Sequence, residues 1–326
     1  MKICVYGVSD KERPCFEEAR REMGLQVELH REDPSLASAH LAQGCTCVSI
    51  LSIPAPAALL DAWQAMGVRF LFTRTVGMDH IDLAHARAIG MAVDNITYAP
   101  QTVADYTIML ILMAMRQMKR VHQKFVRRDF SFAGVYGRNL EGRTVGVVGC
   151  GAIGSMLIRH LSGFGCRILA CSPTEKESVK THAEYVDLDT LWRRCDLINF
   201  HVPATEETFH MVNREALRRM KDGVVLVNMA RGSVIDTSAL IEALESGKVS
   251  AAALDVLENE SHIYYQDFKY TPVCHHEMAV LNAMPNVLMT PHTAFFTDEA
   301  VSDMIEYSIT SCLATVQGKE NPFRVN

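Results

Sequence analysis

Arg231, the acidic residues Asp255 and Glu260, and His292 each stand at or just past the end of a short apolar run. The runs are Val224–Asn228, Ala251–Val256 and Val287–Thr290. Together these residue types suit chemistry at a carbonyl. An imidazole titrates near neutrality, so His292 can give a proton to a developing alkoxide and take one back in reverse. A carboxylate beside it, Glu260, orients the ring and favours the imidazolium. The Arg231 guanidinium can hold a substrate carboxylate and polarise an adjacent keto oxygen. Taken singly, each has an ordinary structural reading: a histidine after a strand is usually a loop or core residue, and an arginine often closes a salt bridge. Their shared position speaks for a site, because ligands of open α/β sheets bind at the carboxyl ends of the strands.

A second signal lies in Thr144-Val145-Gly146-Val147-Val148-Gly149-Cys150-Gly151-Ala152-Ile153-Gly154, an apolar strand running into G-x-G-x-x-G and then a helix. Gly149 permits the tight turn. Gly151 lets a pyrophosphate approach the backbone, and Gly154 allows close helix–strand packing. Free N–H groups at the helix start face the anion. The motif alone is weak, but here the required strand and helix flank it. An acid is expected at the tip of the next strand, where it would bond the ribose hydroxyls and repel a 2′-phosphate. The run Arg167-Ile168-Leu169-Ala170-Cys171 ends instead in Ser172. A hydroxyl does not repel phosphate, and Thr174 or Lys176 can bind it, whereas Glu175 and Glu177 act against it. NAD and NADP both stay open, with a slight lean to NADP.

The elements that must position these groups alternate along the chain. Strands are expected at Lys2–Gly7, Gln26–His30, Cys45–Leu51, Arg69–Thr73 and Met91–Asp94, with helices at Lys11–Met23, Ala57–Met66 and Leu83–Ile89. A second series begins at Thr144, with further strands at Arg167–Cys171, Asp196–His201, Val224–Asn228, Ala251–Val256 and Val287–Thr290. Helices of this series are expected at Ser155–Phe164, Arg214–Met220 and Ser238–Ser246, and a last one from Asp298, capped by Thr297. Such alternation gives parallel sheets covered on both faces. Between the series, one long helix is expected from Thr102 to Phe125. Its first half is apolar nearly all round and should be buried. Its second half is basic and reads as a solvated face at a helix C-terminus. The segment from Asn259 to Met284 has no clean period and reads as an irregular insertion, a length often functional.

Composition bounds the rest. At about 150 residues per domain, 326 residues make roughly two domains. With 48% apolar and 21% charged residues the chain is globular rather than disordered. A net charge of −6 and the lack of a basic stripe argue against a nucleic-acid partner. The longest apolar run, Ile108–Met115, is too short for a membrane span. The 10 cysteines are scattered without a C-x-x-C pair, and Met1–Gly7 reads as a strand rather than a signal peptide. Reduced thiols in a cytoplasmic protein are therefore expected. No metal is expected either: in Cys274-His275-His276-Glu277 the adjacent histidines point apart. Asp79-His80 reads as a turn, and His201 and His210 as hydrogen-bonded structural residues.

The chain resembles the D-2-hydroxyacid dehydrogenases over essentially its whole length. The likeness is carried by Arg74-Thr75-Val76-Gly77-Met78-Asp79-His80-Ile81-Asp82, the glycine turn, Asn228-Met229-Ala230-Arg231-Gly232, Ala253-Leu254-Asp255-Val256-Leu257-Glu258-Asn259-Glu260 and Thr290-Pro291-His292-Thr293-Ala294. Within the family it is most similar to D-lactate dehydrogenases, including the vancomycin-resistance type, through Asn95–Pro100 and Val103–Thr107. That type follows its serine at the Ser172 position with an arginine, which is absent here.

The resemblance implies a Rossmann nucleotide domain, 101–296, inserted into a flavodoxin-like substrate domain, 1–100 with 297–326. It implies a cleft between them and a homodimer through the helix near 102–125. It implies NAD(P)H-dependent reduction of a 2-keto acid to the R-hydroxy acid, first of all pyruvate to D-lactate. The alternatives are a dehydrogenase for larger aromatic or branched keto acids, and a non-enzymatic NAD(H)-sensing co-repressor. By position, Arg231 would bind substrate and Glu260 would pair with His292, the acid/base. Asp255 would contact the nicotinamide amide or support the Arg–His geometry. Val76 and Gly77 N–H groups would hold the substrate carboxylate, and Tyr98 and Phe295 would line the pocket. Ile153, Pro203, Thr208 and Ala230 would flank the cofactor.

Overall fold

The computed structural model describes residues 2–326, apart from the side chains of residues 19, 22, 23 and 316. The chain folds into two compact units, Met1–Ala99 with Phe296–Asn326, and Pro100–Phe295.

In the first unit β1 (Lys2–Val5), α1 (Arg13–Met23), β2 (Gln26–Leu29), β3 (Cys47–Ile50), α2 (Ala57–Ala65), β4 (Phe70–Thr73), α3 (Leu83–Ala88) and β5 (Ala92–Asp94) follow one another. Their strands make a parallel sheet in the order β2-β1-β3-β4-β5, the flavodoxin-like order. Strand β3 is buried along its whole length, which is why it reads as a continuous apolar run rather than an alternating one. Leu59, Leu60 and Trp63 of α2 cover one face. On the other, Val301, Ile305 and Ile309 of the C-terminal helix Asp298–Val316 pack with Phe16. The Thr297 side chain accepts from Ala300 N and starts that helix.

The second unit runs α4 (Gln101–Met115), α5 (Met118–Val126), β6 (Thr144–Val148), α6 (Ala152–Leu161), β7 (Arg167–Cys171), α7 (Glu177–Lys180), β8 (Glu184–Tyr185), α8 (Leu188–Arg194), β9 (Leu197–Phe200), α9 (Arg214–Arg219), β10 (Val224–Asn228), α10 (Thr237–Glu245), β11 (Val249–Leu254), α11 (His276–Ala283) and β12 (Val287–Met289). All strands are parallel, in the order β12-β11-β10-β9-β6-β7-β8. The chain starts at β6, moves outward to β8, then returns to β9 on the other side of β6. The reversal between β6 and β9 is the switch point at which such sheets bind nucleotides. Beyond β9 the next three strands lie side by side, so the loops carrying Arg231, Asp255 and His292 leave the same edge of the sheet.

Three expectations are corrected here. The helix expected over 102–125 is two helices. It breaks at Gln117, which takes the left-handed conformation at φ 53°. The break falls where burial ends: Leu110, Ile111, Ala114 and Met115 of α4 are buried, whereas α5 buries no residue. Nor is the basic half simply a solvated face. Lys119 Nζ donates to the carbonyls of Asn282, Met284 and Val287 at 2.7, 2.9 and 2.8 Å, and its partial removal from water holds its pKa below the usual lysine range. The stretch 259–284 is also less irregular than its pattern suggests. It holds a 3-10 turn at Glu260–His262 and helix α11, whose N-cap is His275 accepting from Met278 N. Leu281 is the one buried residue of α11, so the helix leaves little apolar period to read. Among the described residues no helix is long and apolar enough to cross a membrane.

Candidate active site

The glycine turn is built by contacts that exclude side chains. Gly149 has φ 93°, and a Cβ there would lie 2.4 Å from His201 O. A Cβ at Gly154 would lie 2.0 Å from Gly149 O. Both positions are closed to any other residue. Gly151 is the opposite case. It is the N-cap of α6, and a Cβ on it would meet nothing within 4 Å. The open space lies in front of helix N–H groups that lack a side-chain cap, a cradle of the kind a pyrophosphate occupies. The residues therefore fit a dinucleotide. Ile153 is half-buried one residue before Gly154, and Ser172 is half-buried at the tip of β7. After β9, the Thr208 hydroxyl donates to Pro203 O at 2.6 Å and closes the local turn.

His292 is held from every side. Its Nδ1 lies 2.6 Å from Glu260 Oε1. Its N–H donates to Asp255 O at 2.8 Å, and its carbonyl accepts from the Tyr265 hydroxyl at 3.0 Å. Its backbone is left-handed, φ 53°, a conformation a non-glycine residue keeps only when its surroundings over-determine it. The Asp255 carboxylate supplies much of that determination. It accepts from Thr290 Oγ1, Thr293 N and Ala294 N at 2.5, 3.0 and 3.1 Å. Burial pushes its pKa up against the pull of these donors. The Phe295 ring stands edge-on to the imidazole, with centroids 6.4 Å apart.

Arg231 leaves β10 beside this turn. Its Nη1 donates to Ala230 O at 2.8 Å, and its own carbonyl accepts from Asn228 Nδ2 at 2.9 Å. Ala230 is buried, its N–H on Asn228 Oδ1 at 3.1 Å. The next residue, Gly232, touches the backbone after β11: a Cβ there would lie 2.1 Å from Leu257 C. The two loops are thus in direct backbone contact. Within the first unit, Arg74 is wholly buried and donates to Glu12, Ser49 Oγ and Tyr6 O. It anchors the loop carrying Val76 and Gly77. Thr75 Oγ1 donates to Gly77 O at 2.6 Å, and Asn95 Nδ2 to Val76 O at 3.0 Å. Both carbonyls of the loop are thus engaged. Tyr98 is half-buried near the end of the same unit.

A family described as "D-isomer specific 2-hydroxyacid dehydrogenase, NAD binding domain" matches residues 108–294. The chain belongs to this family. Over 312 residues it is 38% identical to a D-specific alpha-keto acid dehydrogenase of Enterococcus faecium, covering 95% of this chain and 96% of the other. It is 36% identical to an aromatic 2-oxoacid reductase of Clostridium sporogenes, covering 95% and 94%. Among solved structures, D-lactate dehydrogenase with NAD+ from Lactobacillus jensenii superposes with a TM-score of 0.85 at 29% identity, over 100% of both chains. The seven-stranded unit is the NAD-binding domain of a 2-hydroxyacid dehydrogenase.

For a member of this family, several residues that hold the site gave no signal of their own. Tyr265 sits in the unpatterned stretch. Glu258 is a second acid two places before Glu260. The structure separates them. Glu260 reaches His292, whereas Glu258 bonds His210 Nε2 at 2.6 Å and Thr237 N at 2.9 Å, tying the loop to α10. His210 is therefore hydrogen-bonded, as read. His201 is not: both ring nitrogens are buried with no partner among the described residues. Burial pushes its pKa down to about 4.

Proposed function

We infer that the protein reduces a 2-keto acid to the (R)-2-hydroxy acid with NADH or NADPH, pyruvate to D-lactate first of all. The observation that carries this reading is the 2.6 Å pair of Glu260 and His292 Nδ1, on a loop that shares a sheet edge with a dinucleotide turn. The nicotinamide, when bound, supplies the hydride. His292 carries the proton on its other ring nitrogen and delivers it to the oxygen that becomes the hydroxyl. Glu260 accepts from Nδ1 and fixes the ring's orientation and tautomer. Arg231 pairs with the substrate carboxylate and polarises the keto oxygen. In this reading the five-stranded unit is the substrate domain. Val76 and Gly77 N–H groups take the carboxylate, and Tyr98 and Phe295 line the side-chain pocket. Asp255 holds the turn of His292 or contacts the nicotinamide amide. Ile153, Pro203, Thr208 and Ala230 flank the dinucleotide.

The reading extends to a cytoplasmic homodimer. Met109 and Leu112 of α4, with Met118, Phe125 and Val126 of α5, are exposed apolar residues, and such patches favour association. Light scattering behind a sizing column tests that state. The name of the Clostridium sporogenes relative keeps larger aromatic keto acids as the second substrate reading. Both substrate readings are tested at once by following oxidation of NADH and NADPH with pyruvate, 2-ketoisocaproate and phenylpyruvate. Pyruvate is expected to give the highest kcat/KM. A preference for phenylpyruvate selects the second reading, and no oxidation with any keto acid removes both.

A further inference from the structure

Beyond β4, three successive carbonyls accept hydrogen bonds. Thr75 O accepts from Ile96 N at 3.3 Å, Val76 O from Asn95 Nδ2 at 3.0 Å, and Gly77 O from Thr75 Oγ1 at 2.6 Å. The N–H groups of the same peptides, those of Val76, Gly77 and Met78, have no acceptor among the described residues. A main-chain N–H without a protein partner is met by water or by a ligand. An amide whose carbonyl already accepts is polarised and becomes the stronger donor. Val76 is exposed, so this row of donors lies at the surface of its unit.

Gly77 O stands at the end of a chain of side chains. His80 Nε2 lies 3.1 Å from Thr73 Oγ1, which lies 2.6 Å from Thr75 Oγ1. The direction of the chain follows from counting protons. A carbonyl only accepts, so the single hydroxyl proton of Thr75 goes to Gly77 O. Thr75 Oγ1 then accepts, and the proton between the two threonines is that of Thr73. Thr73 Oγ1 in turn accepts, so His80 Nε2 carries a proton. Thr73 is wholly buried at the end of β4, where bulk water does not replace a missing partner. The backbone of His80 is pinned as well: its carbonyl accepts from Ala55 N at 2.7 Å, and Ala55 bridges to Ile81.

We propose that His80, acting through Thr73 and Thr75, is a positioning residue for the keto-acid carboxylate: the Nε2 proton sets the direction of the chain, and the chain holds the Gly77 peptide so that the neighbouring N–H groups face the anion. The proposal rests on the dehydrogenase reading, in which Val76 and Gly77 take that carboxylate. A ring protonated on Nδ1 alone would accept from Thr73. Thr75 would then donate to Thr73, the chain would run backwards, and Gly77 O would lose its donor. The grip of the loop on an anion therefore depends on which ring nitrogen of His80 carries the proton.

Two measurements on the whole protein test this. The first is an NMR spectrum of wild type isotopically labelled at the imidazole nitrogens, with the His80 signals identified by their loss in His80→Gln. A protonated Nε2 is expected. An unprotonated Nε2 overturns the proposal without any appeal to turnover. The second is steady-state kinetics with reduced cofactor and the better of pyruvate and phenylpyruvate. Thr75→Val should raise the keto-acid KM about tenfold, the upper range for one lost hydrogen bond, and leave the cofactor KM within about twofold. Thr75→Ser restores the hydroxyl and should rescue the keto-acid KM. His80→Leu should raise it about threefold to fivefold. His80→Gln, whose amide N–H stands in for Nε2–H, should recover most of that loss. A keto-acid KM that ignores Thr75→Val overturns the proposal and leaves the dehydrogenase reading intact. So do keto-acid and cofactor KM values that rise together, or a His80→Gln variant as impaired as His80→Leu. No oxidation of either reduced cofactor by wild type with any keto acid overturns both.

Discussion

Two histidines follow strands of the same sheet, and their surroundings could hardly differ more. His292, after β12, keeps part of its ring accessible, with a side-chain exposure of 29%, and places Nδ1 on a carboxylate. His201, after β9, has both ring nitrogens buried with no partner among the described residues. Burial without a partner makes an imidazole hard to protonate, and its pKa falls to about 4. At His292 a carboxylate at hydrogen-bond distance holds and orients the ring instead. Standing at the carboxyl edge of a parallel sheet therefore does not by itself make a histidine a proton carrier. The partner decides, and so do the groups that hold the partner in place. The contrast can be broken first at His292. Replacing it with alanine should lower turnover by roughly 10²–10⁴, while adenosine 5′-phosphate still binds. Unchanged turnover would remove His292 from the mechanism and leave the two histidines equivalent.

Asp255 is the next place to press. Alanine there leaves Thr293 N and Ala294 N, one of them fully buried, without their acceptor. At ~1–3 kcal/mol for a buried donor left unsatisfied, a loss of about 2–3 kcal/mol in urea unfolding is expected. The milder Asp255→Asn separates its two proposed roles. If Asp255 acts by holding the His292 turn, kcat falls by about tenfold and the affinity for reduced cofactor, read by fluorescence, stays close to wild type. Weakened cofactor binding at unchanged kcat would instead assign Asp255 to the nicotinamide.

How much of this was legible in the residues follows from which contacts are local. The glycine turn is written in consecutive positions, and both Gly149 and Gly154 meet backbone that no Cβ could approach. Arg231, Glu260 and His292 stand out in the sequence because strand ends can be read from continuous apolar runs, and a parallel sheet brings such ends to one edge. Their supports were not legible. Tyr265 reaches His292 O from an aperiodic stretch, and nothing in its neighbours marks it. Glu258 and Glu260 differ only in what the folded loop places before them. The kink at Gln117 was hidden because no glycine or proline announces it. It follows from the end of the buried face and from Lys119 reaching three carbonyls at once. Long-range hydrogen bonds of this sort leave no period in the chain.

The smallest expected effect tests the other half of the contrast, and it is thermodynamic. A histidine whose folded pKa lies below its unfolded value of about 6.5 favours the folded state while it is neutral. That contribution is complete above about pH 6.5 and is lost as pH falls towards the folded value of about 4. Below that, protonation no longer discriminates further between the folded and unfolded chains. At about 1.4 kcal/mol for each pKa unit, the loss cannot exceed ~3 kcal/mol. Other groups titrate over the same range, so the wild-type curve alone decides nothing. The difference between wild type and His201→Leu, measured as urea unfolding free energy at pH 7 and again near pH 4, isolates this one imidazole. Wild type should lose about 2–3 kcal/mol more than the leucine variant across that interval. Parallel pH curves for wild type and His201→Leu would mean that the His201 ring finds a partner in solution, and the distinction between the two histidines would then rest on Glu260 alone.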